Sequence, residues 1–231
     1  MITGEQLLEV FAEYNQQIWP MQIAAYLLGI TGLYLASRKN AISDRFIPAI
    51  LAFLWLWVGF FFWLPSAGQG FVPGYLFTVL FLFQGMLFLF FTLRAKLSFG
   101  LSNDIWTWTG VFFVAYALVG YPLVGILLGR DTTSIPSFGL TPCPLVTFTF
   151  GMLLLVRREI TQYALIIPFI YALSGFLWVS IGIVEDVGLI ASGLAAVLLI
   201  WYGGLKTKRT AADKDPRASK GGWSLDLTDK E

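Results

Sequence analysis

Histidine is absent from this sequence, and cysteine occurs once, at Cys143. The first absence removes the commonest general base, the commonest metal ligand and the side chain that titrates near neutral pH. The second excludes an internal disulfide. Charge is scarce as well: Asp, Glu, Lys and Arg together make up 13% of the residues, and none lies in the middle of a long apolar run. Ion-coupled carriers, proton relays and voltage sensors place ionisable groups at such positions, so the pattern argues against all three. There is also no Ser/His pair, aspartate dyad or cysteine pair for intramembrane proteolysis or thiol exchange, and the last apolar run has no lysine to hold a retinal. No catalytic residue, metal site or cofactor is expected, and no enzyme.

What is present is hydrophobic. A chain 57% hydrophobic and 17% aromatic carries more apolar surface than a soluble fold can cover, which places it in the membrane class. A transmembrane helix takes roughly 20 mainly apolar residues. On that scale residues 18–205 divide into seven segments: Ile18–Ala36, Ile47–Leu64, Tyr75–Leu93, Trp106–Leu128, Pro142–Val156, Tyr163–Val184 and Val187–Leu205. The connections give an independent test, because cytoplasmic loops are enriched in Lys and Arg. Taken alternately, one face collects Arg38, Lys39, Arg45, Arg94, Lys96, Arg157, Arg158 and every basic residue of the C-terminal tail. The other receives Arg130 alone, with Glu5, Glu9, Glu13, Asp131, Glu185 and Asp186. The fold class expected is an all-α polytopic bundle of seven transmembrane helices, N-terminus outside and C-terminus inside. The lipid bilayer is the expected partner. A net charge of +1 confined to loops and tail gives no reason to expect nucleic acid.

Residues 1–17 contain no Lys or Arg, so they lack the positive start of a secretory signal peptide and are read as mature sequence. Leu7, Leu8, Phe11, Tyr14 and Ile18 share one helical stripe with the glutamates opposite, behind a Thr3/Gln6 pair that resembles a capping box. This predicts a short amphipathic helix on the outer face, either lying in the interface or packed on the outer helix ends. Residues 206–231 turn polar and basic and are expected to be a disordered cytoplasmic tail. Trp19, Trp63, Trp106, Trp108 and Trp201 fall at span ends, as interfacial tryptophans do.

"IPAILA" at Ile47–Ala52 and "IPFIYA" at Ile167–Ala172 open the second and sixth spans, and "WPM" and "CPL" stand in the first and fifth. Such echoes suggest a 3+1+3 repeat with the fourth span as linker, an architecture that resembles the small sugar-efflux carriers.

The fifth span is the odd one. From Pro142 to Val156 it measures about 22 Å, against roughly 30 Å of hydrocarbon. With Thr141 as N-cap and Pro142 as first helical residue, the segment "SFGLTPCP" must enter the membrane as irregular chain. That is tolerated only where protein buries it or where it lines a wet cavity. The candidate ligand recess is therefore Thr141, Cys143 and Leu145, together with Gln84 and Gln22 within their spans, and the first-turn N–H groups of Cys143 and Leu145 would favour an anion or polar oxygen. A loop with a tilted short helix is the plainer alternative. Gln84 equally suits an interhelical hydrogen bond, and Gly188, Ser192 and Ala196 read as a packing stripe. Pro122 frees the Leu118 carbonyl and predicts a kink. Arg130, Glu185 and Asp186 are the charges at the outer mouth. The acidic hairpin reads as a solvated turn, an Arg130 ion pair or a cation-attracting mouth.

In "YNQQIWPMQ", "LWLWVGFFF", "YPLVGILLG", "FGLTPCPLVTFTFG" and "VEDVGLIASGL" the chain resembles, from Glu5 to Leu205, a family of bacterial integral membrane proteins catalogued as a domain of unknown function. The resemblance implies an inner (plasma) membrane address. The label of major-facilitator permease that some members bear implies 12 spans, which this chain does not have. Two classes of function are expected. One is a permease or facilitator, without ion coupling, for a small neutral or anionic solute. The other is a structural, assembly or sensory protein acting through protein contacts, including those of a homo-oligomer.

Overall fold

The computed structural model describes residues 3–38, 41–95, 97–157 and 163–214, with side chains as far as residue 202. Lys39, Lys96, Arg158 and residues 215–231 of the expected tail lie outside the described residues. Described residues form eight main helices: α1 (Gly4–Gln17), α2 (Trp19–Arg38), α3 (Ala41–Gly68), α4 (Pro73–Arg94), α5 (Ile105–Leu127), α6 (Pro142–Leu154), α7 (Tyr163–Ser180) and α8 (Val187–Lys214). Among them there is no strand, only an isolated antiparallel bridge between Phe99 and Val156. Five helices are long and apolar enough to cross a membrane, α3, α4, α5, α7 and the helical run Val184–Tyr202; α1 and α2 would make a sixth if their 89° bend is counted as one span.

The ends differ from expectation in several places: α3 runs Ala41–Gly68 where Ile47–Leu64 is expected, and α6 stops at Leu154 rather than Val156. α7 stops at Ser180, short of Val184, because the chain turns through Gly182 at φ 101° before a short 3-10 turn, Val184–Asp186. α8 runs to Lys214, so the first part of the expected disordered tail is helical.

α6 occupies the middle of the bundle. Every residue from Pro142 to Leu154 is buried, and α6 packs against α3, α5, α7 and α8. Its contact with α5 is made backbone to backbone at two glycines: a methyl on Gly110 would stand 2.7 Å from the Gly151 carbonyl oxygen, and one on Gly151 2.8 Å from that of Gly110. α2, by contrast, is peripheral. It docks through Ala25, Gly29, Gly32 and Ala36, a seam of small residues at helical spacing. The proposed repeat pairs α2 with α6, yet one is edge and the other centre.

Two segments widen into π-helix just before a proline. In α3 it is Val58–Trp63, ahead of Pro65; in α5 it is Tyr116–Gly120, ahead of Pro122. A proline cannot donate to the carbonyl four residues back and its ring crowds that carbonyl; an i→i+5 turn moves the carbonyl away. This is how Pro122 is accommodated, and α5 continues as one span to Leu127.

Protein plugs both ends of the short α6. On one side α1 supplies the missing donors. Asn15 Nδ2 donates to the carbonyls of Thr133 and Ile135 (2.7 and 2.8 Å), and Tyr14 Oη donates to that of Leu140 (2.9 Å). The lead-in is thus hydrogen bonded and buried, as irregular backbone at membrane depth must be. α1 is capped as its first residues predict, with Thr3 and Gln6 exchanging side-chain and backbone bonds. Its apolar stripe packs in part against the bundle, with Phe11 and Tyr14 buried. On the other side Gly100 N donates to the Leu155 carbonyl (3.0 Å) and Arg157 N to that of Ser98 (2.7 Å), while Asp44 Oδ1 accepts from Phe99 N (2.9 Å).

Candidate functional site

Between α1 and the ends of α3, α6 and α7 lies a cavity of about 630 Å³. Phe11 comes from α1, Trp63 from the π segment of α3, Cys143 from the first turn of α6, and Tyr171 and Trp178 from α7; Asp186 ends the 3-10 turn at the wall. The lining is largely apolar and aromatic, and the rings support one another: Trp63 meets Tyr171 edge-on at 6.1 Å and Phe62 at 5.0 Å.

The acidic turn is built into the protein, not solvated. Glu185 and Asp186 are both 0% exposed. Carboxylates are buried only when partnered, and Glu185 has such a partner: Arg130 Nε stands 2.5 Å from its Oε1, and Nη2 donates to Oε2 at 3.0 Å and to the Gly182 carbonyl at 2.7 Å. Of the three readings open for this hairpin, the ion pair is the one formed, and the solvated turn is overturned. Beside it, Tyr116 Oη donates to the Glu185 carbonyl (2.8 Å) and Tyr121 Oη to Asp186 Oδ1 (3.2 Å). These tyrosines are five residues apart. In a regular α-helix they would diverge by about 140°; the π turn, with Tyr121 N donating to the Tyr116 carbonyl, brings both onto the acidic pair. Gly188 leaves room for Tyr116, since a methyl there would fall 1.9 Å from its ring.

Asp186 is less completely held than Glu185. Its Oδ1 has Tyr121, but its Oδ2 forms no hydrogen bond, and neither does Trp63 Nε1, although Trp63 is only 4% exposed. Both residues line the cavity. Asp186 also lies beside Cys143, whose Sγ is 3.5 Å from Tyr171 Oη.

Of the candidate recess and mouth residues, the cavity gathers Cys143 and Asp186 and leaves Thr141, Leu145, Gln84, Gln22, Arg130 and Glu185 outside its lining. Thr141 is fully buried but caps nothing with its side chain; its hydroxyl donates to the Ser137 carbonyl (2.8 Å). Leu145 is core, its N–H already given to the Thr141 carbonyl (3.4 Å). With prolines at 142 and 144, the first turn offers few free N–H groups, and the oxygen nearby is the carboxylate of Asp186. The first turn therefore has little to offer an anion beyond the Cys143 N–H. Gln22 donates to the Asn15 carbonyl (3.2 Å) and Ser137 Oγ (3.1 Å), bracing α1. Gln84 is buried between helices and donates to the Ala164 carbonyl (3.2 Å).

Trp63, Tyr171, Trp178, Tyr116 and Tyr121 were missed. Trp63 has the position of an interfacial tryptophan, and Trp19, Trp108 and Trp201 are indeed exposed, but Trp63 turns inward. The run of consecutive aromatics before Pro65 could have marked it, since a π turn there rotates the last ring toward the bundle.

No curated protein matches this chain, and no solved structure does. One family profile matches over residues 4–211, which takes in α1, the membrane helices and most of α8. Over nearly its whole length, cavity included, the chain belongs to DUF6064, a family of unknown function.

Proposed function

We propose that the protein is a multi-pass protein of the bacterial inner (plasma) membrane that admits a small solute to the cavity beneath α1 and works as a permease or facilitator without ion coupling. Seven helices, α2 to α8, thread the bilayer, with residues 1–17 outside, 18–205 within the membrane region and 206–231 inside. The one-sided placement of Lys and Arg supports this orientation. The single observation that carries the functional reading is the cavity: about 630 Å³, within the roughly 300–1,000 Å³ of small-molecule sites, at the end of the bundle where Arg130, paired with Glu185, is the basic residue among those described. Its polar groups are few and its walls aromatic, as such sites are. Uncoupled movement is favoured because Glu185 and Asp186 sit together at this end and the sequence sets no further ionisable side chain in mid-span to continue a relay.

Stopped-flow light scattering on proteoliposomes of the purified chain tests this reading. Osmotic re-equilibration with a panel of glycerol, alanine and tetramethylammonium chloride should be faster than in empty liposomes for at least one solute. Alkylating Cys143, the sole cysteine, with a bulky maleimide should remove the difference. Identical rates across the panel would refute a facilitator.

A further inference from the structure

We propose that the cavity selects an organic cation: a substituted ammonium on an apolar body, with its charge against Asp186 and its body against the aromatic walls. This deepens the reading of the cavity as a solute site and rests on it. Among the described residues that line the cavity, Asp186 is the one with a carboxyl group. The nearby guanidinium, Arg130, is already committed to Glu185 and Gly182. One carboxylate oxygen of Asp186 therefore makes no hydrogen bond in a wall that is otherwise apolar, and a buried carboxylate so placed is stabilised by positive charge.

The rest of the wall favours the same ligand. Trp63, Tyr171 and Trp178 present aromatic groups to the cavity alongside Phe11. Tryptophan and tyrosine faces attract ammonium groups electrostatically, most strongly where water is excluded. A compact inorganic cation would find one carboxylate and few other oxygens, too poor a shell to replace its water. An alkylated ammonium holds its water weakly and gains from apolar contact, so it fits both parts of the wall.

The full chain in nanodiscs, titrated calorimetrically against an empty-nanodisc blank, tests this with two probes of one shape. Phenyltrimethylammonium and its neutral carbon isostere tert-butylbenzene differ in charge alone; benzenesulfonate serves as the anion. The ammonium should bind at least about tenfold more tightly than the isostere, the usual scale of a desolvated cation–aromatic contact with a carboxylate beside it, and the sulfonate more weakly than either. In Asp186→Asn the ammonium should lose that advantage while the isostere is unaffected. Equal affinity of the two probes for the unmodified protein, preference for the sulfonate, or no heat from the ammonium each overturns the inference. The comparison on unmodified protein decides even if Asp186→Asn fails to fold. An ammonium that binds but crosses no vesicle wall keeps this inference and removes the facilitator; a solute that crosses while the probes bind alike does the reverse.

Discussion

Gln84 shows how a polar side chain in a membrane helix can serve a neighbour's backbone. Pro168 lies inside α7 and has no N–H to give the carbonyl four residues earlier, which is that of Ala164. Gln84 Nε2 from α4 donates to that carbonyl. If this is its role, its worth depends on the proline. Gln84→Leu should cost about 1 kcal/mol in the native background, on the scale of interhelical hydrogen bonds in membranes. In Pro168→Ala, where a helical N–H serves Ala164, the same change should be neutral or mildly stabilising, because the unpartnered Gln84 Oε1 leaves with it. Equilibrium unfolding of the four proteins in mixed micelles gives the coupling, and additivity within a few tenths of a kcal/mol would dismiss the pairing. The proline and the glutamine are each conspicuous in the sequence. What the sequence does not show is that two helices 80 residues apart place them together.

At the scale of elements the short α6 is the instructive case. Its length, its start at Pro142 and its irregular lead-in are all legible, and so is the rule that such a lead-in must be buried or wet. Its place is not legible, because lipid tails are as apolar as a protein core. A helix hydrophobic on every side reads the same at the centre of the bundle as against the bilayer. Polar pattern was the better guide where water is near: the capping box and apolar stripe of α1 both form. The packing of α1 also explains how the lead-in is tolerated, since Asn15 serves two of its carbonyls and Ser137 Oγ donates back to Asn15 Oδ1. Asn15→Leu leaves those carbonyls without their donor, at about 2 kcal/mol given roughly 1–3 kcal/mol per buried unsatisfied group. Loosening α1 over the cavity should also speed alkylation of Cys143, which is 5% exposed in the intact structure. Glu13→Leu, at an exposed position of the same helix, should change neither stability nor alkylation by a comparable amount. Equal effects of the two substitutions on the alkylation rate would mean that α1 does not control access.

At the scale of the whole molecule the two ends of the bundle are chemically different. α1 closes one end over the cavity and the acidic turn. The other end joins residues 98–101 to the close of α6 and carries Arg38, Arg45, Arg94 and Arg157. Because α6 links the two, beginning beside Tyr14 and ending beside Gly100, it traverses the bundle despite its 13 residues. If, as proposed, α2 to α8 all span, the number of crossings is odd, and that proposal sets the basic end in the cytoplasm. Single cysteines in a Cys143→Ser background report this directly. Thr132 and Asn103 are exposed, at the cavity end and the basic end respectively. In intact cells Thr132→Cys should react with a membrane-impermeant maleimide, and Asn103→Cys should react only after the membrane is permeabilised. The reverse pattern would place the cavity mouth in the cytoplasm and turn an uptake site into one loaded from within. Reaction of both from outside would mean that these helices do not thread the bilayer in alternation, and a solute path through the bundle would have no two sides to join.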